Sequence, residues 1–350
     1  MEPLLIAVRG SRVFDGTQFL EDQTVTVLVA AGRIDAVGPA SEADVPGGAE
    51  IYDGKNRTLL PGFIDAHVHI GFYDPRVILA GGITTARDLG WPGKLIFPLV
   101  HELKNSTDAG PLLLAAGPMI TTPGGYPSRA SWAPRGTAME VRDEAQARDA
   151  VRALVAEGAD VIKVAQDPRA GPVLESAVLK PIVNEAHGVG LKVTSHLGSL
   201  NELEVALDAG VDELAHGLWS DEEIPRALID RMVAQEVTVI PTLHIDPSPV
   251  RIQNVRRFLE AGGKVIYGTD MGNTGPPPGI DPSELSLMRE AGMSVEEVLS
   301  SATSLAAEHL GLIGRGVIQV GAPADLVLVE GDPRDDYRVL AHPIRVIRSG

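Results

Sequence analysis

Eight short apolar stretches punctuate the middle of this chain, at 60–67, 83–88, 111–116, 160–165, 191–196, 211–216, 237–243 and 264–270. Between them run mixed segments of helical character that end at glycine, as in Ala80-Gly81-Gly82-Ile83, Glu157-Gly158-Ala159, Gly188-Val189-Gly190-Leu191, Ala209-Gly210-Val211 and Ala261-Gly262-Gly263. Glycine tolerates the left-handed backbone just past a helix, and a short connection then returns the chain to a sheet. Eight buried strands alternating with helices predict an α/β fold of the (β/α)8 TIM-like barrel type, whose usual size of roughly 250 residues suits this span. A doubly wound open sheet is the structural alternative, but no Gly-x-Gly-x-x-Gly turn follows any of the strands.

Residues 1–58 read differently. Short strands are expected at Leu4–Val8, Gly10–Phe14, Thr24–Ala30, Arg33–Val37 and Glu50–Tyr52, separated by turn signals such as Asp15-Gly16 and Ala31-Gly32. This unit is too short to bury a good core alone, and the tail offers strands to complete it at Gly316–Val320, Asp325–Glu330 and Ile344–Arg348. The expected organisation is a small β-sandwich domain built from 1–58 plus 312–350, and a barrel over 59–311.

Composition narrows the function. The formal charge of −17, from 47 acidic and 30 basic residues, argues against nucleic acid as a partner. The chain has no cysteine, so a metal would have to rest on histidine, carboxylate or something less usual. The first residues carry an apolar run too short for a signal peptide, and no stretch reaches the ~18 apolar residues of a membrane span. These features predict a cytoplasmic protein acting on a small molecule, with no membrane partner. The oligomeric state is left open, a homo-oligomer included.

In a (β/α)8 barrel the active site lies at the C-terminal ends of the strands, so the residues ending each strand matter most. Strand one ends in His67 and His69, which share a face because side chains alternate along a strand. Two imidazoles aimed alike suit a divalent transition metal, although the same spacing also arises from packing. Strand four carries Lys163, strand five ends at His196, strand six at His216 and strand eight at Asp270. Four of the nine histidines, a lysine and an aspartate thus fall on one rim. His244, ending strand seven, is a candidate substrate or transition-state contact or an ordinary loop residue. Asp65, one step deeper than His67, is a candidate for orienting an imidazole through its second nitrogen, or a polar residue hydrogen-bonded in the core. His101, His187, His309 and His342 are expected on surfaces or helix faces.

These residues stand in motifs that resemble the amidohydrolase superfamily, and within it the binuclear prolidase-like and imidazolonepropionase-related group. The resemblance runs from Pro61 to near the C-terminus. It is carried by Gly62-Phe63-Ile64-Asp65-Ala66-His67-Val68-His69, Gly82-Ile83-Thr84-Thr85, Gly158-Ala159-Asp160-Val161-Ile162-Lys163, Ala209-Gly210-Val211-Asp212, Ala215-His216-Gly217 and Gly268-Thr269-Asp270. Gly321-Ala322-Pro323-Ala324-Asp325-Leu326-Val327 resembles the family's closing β-domain signature. The resemblance implies two divalent metal ions, zinc being expected. His67, His69 and Asp270 would bind the buried ion, and His196 and His216 the more exposed one. Lys163 would react with carbon dioxide to form a carbamate bridging both. The plain alternative for Lys163 is a lysine snorkelling to water or paired with Asp160 or Asp270.

Two ions sharing a hydroxide would lower the pKa of that water toward ~7 and polarise a carbonyl. Asp270 would take up the proton and pass it to a leaving amine. The expected activity is hydrolysis of an amide-type C–N bond in a dipeptide or N-acyl amino acid. Lactone or phosphotriester hydrolysis on the same centre, a mononuclear deaminase or cyclic amidohydrolase, and a non-catalytic scaffold protein are the alternatives. The mononuclear class lacks a bridging lysine and needs an acid-base carboxylate near His196, where Leu197-Gly198-Ser199 stands instead. For substrate contacts, the loop after strand three offers Tyr126, Arg129 and, further on, Arg135. Relatives commonly carry Gly-Gly-His where this chain has Gly124-Gly125-Tyr126.

Overall fold

The computed structural model describes residues 5–20, 24–39, 45–218 and 220–349. The expected strand start at Leu4 lies outside the described residues. Parallel strands form two arcs. One joins Phe63–Val68, Ile83–Asp88 and Leu112–Ala115; the other runs Ala138–Glu140, Met119–Thr121, Ile162–Gln166, Val193–Leu197, Glu213–Leu218, Thr238–Ile240 and Lys264–Val265. Backbone hydrogen bonds close the gaps: Asp160 N to Ala115 O at 2.9 Å on one side, Ala66 N to Tyr267 O and Asp270 N to His67 O at 3.1 and 2.8 Å on the other. The result is the expected barrel, with two refinements. Gly117-Pro118 splits strand three into 112–115 and 119–121, because proline offers no ladder donor. Strand eight is regular only over Lys264–Val265 and continues to Asp270 as irregular chain.

The helices fill their expected places. Glu144–Glu157 starts at Asp143, whose side chain accepts from Gln146 N, and buries Ala147, Ala150, Val151 and Leu154. That spacing puts one stripe against the sheet. The helix stops at Gly158, whose φ of 99° an L side chain would resist. No helix among the described residues is long and apolar enough to cross a membrane.

Strands from both chain ends form one seven-stranded mixed sheet in the order Pro343–Ile347, Leu326–Glu330, Arg57–Pro61, Leu5–Val13, Val25–Ala30 and Arg33–Pro39, with Glu50–Asp53 also paired to Leu5–Val13. The register of Leu5–Val13 shifts between Val8 and Ser11, so its halves face different neighbours. Val25, Val27 and Val29 pack with Val8, Leu59 and Leu328 in a core separate from the barrel's. Two expectations change here. Gly316–Val320 forms no strand; it follows the 14–16 turn through Ile318 N to Asp15 O. The apolar run 60–67 is two strands, because Arg57–Pro61 pairs along its whole length with Leu326–Glu330 before Gly62 passes the chain to the barrel. At Gly62 a Cβ would lie 2.1 Å from Thr84 Oγ1, so no larger residue fits the crossing.

Inside the barrel, Arg87 and Glu213 form a bidentate pair at 3.0 and 2.6 Å, with Arg87 Nε also donating to Ala66 O. His309, the last residue of the helix Ser304–His309 as its helix-face reading expects, turns inward to reach Glu213 Oε1 at 2.8 Å with only 6 % of its side chain exposed. Burial alone would raise the Glu213 carboxyl; Arg87 and His309 outweigh it and hold it below the ordinary glutamate range. The pair's stabilisation is therefore full above that range and is lost as pH falls through the depressed pKa. Arg87→Met strands a buried carboxylate and is expected to lower unfolding free energy by about 3–5 kcal/mol in urea denaturation, with Arg87→Met/Glu213→Leu recovering most of it.

Candidate metal centre

The strand ends converge. His67 Nε2 and His69 Nε2 lie 3.3 and 3.2 Å from Asp270 Oδ1, and His216 Nδ1 lies 3.9 Å from Asp270 Oδ2. The His216 ring stands 4.5 Å from that of His67 and 5.0 Å from that of His196. Lys163 and all four histidines line one cleft of about 200 Å³ with Asp270. Regular alternation does not explain every placement. Glu213 faces Arg87, and Ala215 packs with Leu89, Ala116 and Val161, so strict period two would turn His216 away. A φ of 92° at His216 brings it back. Asp270 is also left-handed, at φ 57°. Such conformations cost roughly 1–3 kcal/mol each in non-glycine residues and persist only where surroundings enforce them.

The donor set fits a divalent metal. An ion bound tetrahedrally at about 2.0–2.1 Å separates neighbouring ligand atoms by about 3.3 Å, which matches both contacts to Asp270 Oδ1. His67 Nδ1 and Nε2, Asp270 Oδ1 and Lys163 Nζ are buried and make no hydrogen bond. Orphaned buried polar atoms are costly unless something else satisfies them. His69 Nδ1 lies 3.1 Å from Gly90 O, which favours the tautomer with a lone pair on Nε2. Burial, reinforced at His67 by Lys163 and at His216 by His67, lowers the pKa of both well below the ordinary value. Burial also lowers His196. Neutral imidazole is the form that ligates. Burial pushes the Lys163 ammonium down to about 7.

Asp65 requires a correction. Its carboxylate accepts from His67 N and Thr269 N at 3.1 Å each and bonds Thr269 Oγ1 at 2.6 Å, and it reaches no imidazole nitrogen. Burial raises its pKa to about 7. It positions His67 through the backbone, and Asp270 through its neighbour. Asp88, which sequence reasoning missed, holds the other flank: Oδ2 accepts from Ile70 N at 2.8 Å and Oδ1 from Gly90 N at 2.9 Å, fixing the chain on both sides of the His69 contact.

The rim residues divide. Tyr126 lines the cleft, stacked on His196 at 4.8 Å, and its hydroxyl accepts from Trp132 Nε1. Arg129 and Arg135 are exposed and stand outside the cleft lining, because the 122–137 loop turns them outward. Arg169 and Asp167, beyond strand four, line it instead. His244 is outside the lining too; its Nδ1 meets Asp281 Oδ2 at 2.5 Å and its N–H donates to Glu284. Asp160 accepts from Ala115 N and is not a partner of Lys163.

A sequence profile of the amidohydrolase family matches residues 58–350. The chain belongs to the amidohydrolase family. It is thus a hydrolase of a family that generally works with divalent metals. An uncharacterised protein of Mycobacterium tuberculosis is 28% identical over 365 residues, covering 95% of this chain and 93% of its own. The enamidase of Eubacterium barkeri is 25% identical over 329 residues, covering 88% and 82%. Among solved structures, a putative prolidase from Bifidobacterium longum superposes with a TM-score of 0.85 at 27% identity, covering 99% of this chain and 93% of that one.

Asp88→Ala leaves the buried N–H groups of Ile70 and Gly90 without their acceptor. At about 1–3 kcal/mol per orphaned group, the variant is expected to unfold at clearly lower denaturant, with faster amide exchange at Ile70 and Gly90 than elsewhere in the barrel.

Proposed function

We propose that this protein is a binuclear metal-dependent hydrolase of an amide-type C–N bond, acting on a dipeptide or N-acyl amino acid. Lys163 carries the reading: a fully buried amine without a hydrogen-bond partner, lining the same cleft as four histidines and Asp270. A structural lysine would find a carboxylate or reach water; this one does neither. With its pKa brought down to about 7 by burial, a neutral fraction exists at physiological pH. The neutral nitrogen adds to the carbon of carbon dioxide and loses one N–H proton to solvent, leaving a carbamate anion.

In this reading His67, His69 and Asp270 hold one ion, His196 and His216 the other, and the carbamate of Lys163 serves both. Two such ions, zinc by preference, would supply Lewis acidity toward a carbonyl and lower the pKa of a bound water toward ~7. The chain's own part is orientation and proton handling. Asp270 presents Oδ1 to His67 and His69 and Oδ2 toward His216, so its carboxylate lies between the two ligand sets. From there it takes the proton of the attacking water and delivers it to the departing nitrogen, which leaves as a neutral amine. The prolidase and enamidase names among the relatives support a C–N target.

Metal analysis of the purified protein is expected to find close to two divalent ions per chain, and full activity with one would contradict the bridged centre. Lys163→Ala is expected to lose about 100-fold or more in activity together with part of the metal, and to regain some activity with a short carboxylic acid that replaces the bridge. Unchanged kinetics in that variant would remove the carbamate from the mechanism. The substrate screen pairs dipeptides and N-acyl amino acids against lactones and phosphotriesters, and preference for the latter would overturn the amide assignment.

A further inference from the structure

The cleft carries a charged residue that the metal chemistry does not use. Arg169 follows strand four, lines the same cleft as Lys163 and Asp270, and has 53% of its side chain exposed. Its orientation is fixed from behind. Asp167 accepts from Arg169 Nε at 3.0 Å, from Nη2 at 2.9 Å and from the Arg169 backbone N–H at 3.0 Å. Asp167 is itself nearly buried, with Oδ2 3.6 Å from His196 Nε2. A rigid line therefore runs from the metal-facing histidine through a carboxylate to a guanidinium at the mouth.

The backbone beneath is equally constrained. A Cβ at Gly171 would lie 2.5 Å from Gly124 O, one at Gly125 would lie 2.6 Å from Pro172 O, and one at Gly198 would lie 2.8 Å from Asp167 Oδ1. The loop bearing Arg169 is thus locked against the loop bearing Tyr126. Asp246 also acts on Arg169 through its charge and pairs with Arg251 at 3.3 Å. A planar guanidinium held at fixed angle recognises carboxylate better than a mobile lysine does, and it loses little entropy on binding.

Building on the hydrolase reading above, we infer that Arg169, positioned by Asp167, is the receptor for a substrate carboxylate, so that the preferred substrates are amides bearing that group next to the scissile bond. The cleft is small, about 200 Å³, so a carboxylate at Arg169 leaves only a short reach to the histidines. In the N-acyl amino acid reading that group is the α-carboxylate on the amine side.

The test uses the metal-loaded protein and two amides with the same acyl group, N-acyl-L-phenylalanine and N-acyl-2-phenylethylamine, which differ by the carboxylate alone. Wild type is expected to favour the acid by about 100-fold in kcat/KM. In Arg169→Met that preference should fall to within about threefold, through KM, with the decarboxylated amide changed less than twofold. Arg169→Lys should lie between, and Asp167→Asn, which also touches His196, should raise KM for the acid more than for the decarboxylated amide. Equal losses on both amides would assign Arg169 a structural role and overturn the inference, as would preference retained in Arg169→Met, while leaving the hydrolase reading intact. If neither amide is cleaved, calorimetric binding of N-acyl-L-phenylalanine decides: weakening of about tenfold in Arg169→Met supports the carboxylate site even though the reaction assigned above fails, and equal affinity overturns it.

Discussion

The candidate centre depends on how the barrel closes at Asp65. A regular ladder joins most neighbouring strands, yet the last one is regular over only two residues and reaches the first through scattered backbone bonds. Asp65 compensates. From strand one it gathers His67 N, Thr269 N and the Thr269 hydroxyl, tying the first and eighth strands together directly below His67 and Asp270. The carboxylate is buried, where hydrogen bonds are electrostatically stronger and an unsatisfied oxygen is costly. A group whose interactions are this concentrated sets the spacing of the residues above it.

Above that tie, the centre is held in conformations that an isolated chain would avoid. His216, Thr242 and Asp270 all have positive φ, and Thr242 Oγ1 lies 2.7 Å from His216 Nδ1. Three left-handed non-glycine residues in one small region are a concentrated strain, offset by the packed barrel below. Burial favours the neutral forms of His67, His196 and His216 and an uncharged fraction of Lys163, whereas at His69 burial is outweighed by Asp270, which raises the pKa. Desolvation thus does two things here: it removes protons from most of the nitrogen donors, and it leaves the His67 nitrogens, Lys163 Nζ and Asp270 Oδ1 without a hydrogen bond.

What the sequence made legible follows from locality. The alternation of strand and glycine-ended helix is written within windows of a few residues, and so is the His67-Val68-His69 pair. The histidines of strands five and six were found by counting strand ends. Interactions across the barrel were not legible. Arg87 and Glu213 are 126 positions apart, and His309 reaches Glu213 across 96. No periodicity announces such a pair, which is why His309 read as a helix-face residue. Asp88 looked like an ordinary strand terminus, since its partners are backbone N–H groups that every sequence possesses. Arg169 was hidden for another reason: surface arginines are common, and only the fold distinguishes one lining the cleft from Arg129 and Arg135 outside it.

The passage of the chain through Gly62 has a consequence for biosynthesis. Arg57–Pro61 pairs with Leu326–Glu330, and Gly62 N donates to Asp325 O, so the segment that leads directly into the histidine strand is anchored by residues made long after it. Arg57 and Glu330, partners across that pairing, are 273 positions apart. At about 5–20 residues per second, the ribosome needs roughly 14–55 s to supply the second partner after the first. During that interval His67 and His69 exist on a nascent chain whose neighbouring sheet is unfinished. Completion of the sheet that abuts the histidine strand is therefore a late event in the making of each molecule, and the strand Leu326–Glu330 is the latch that closes it.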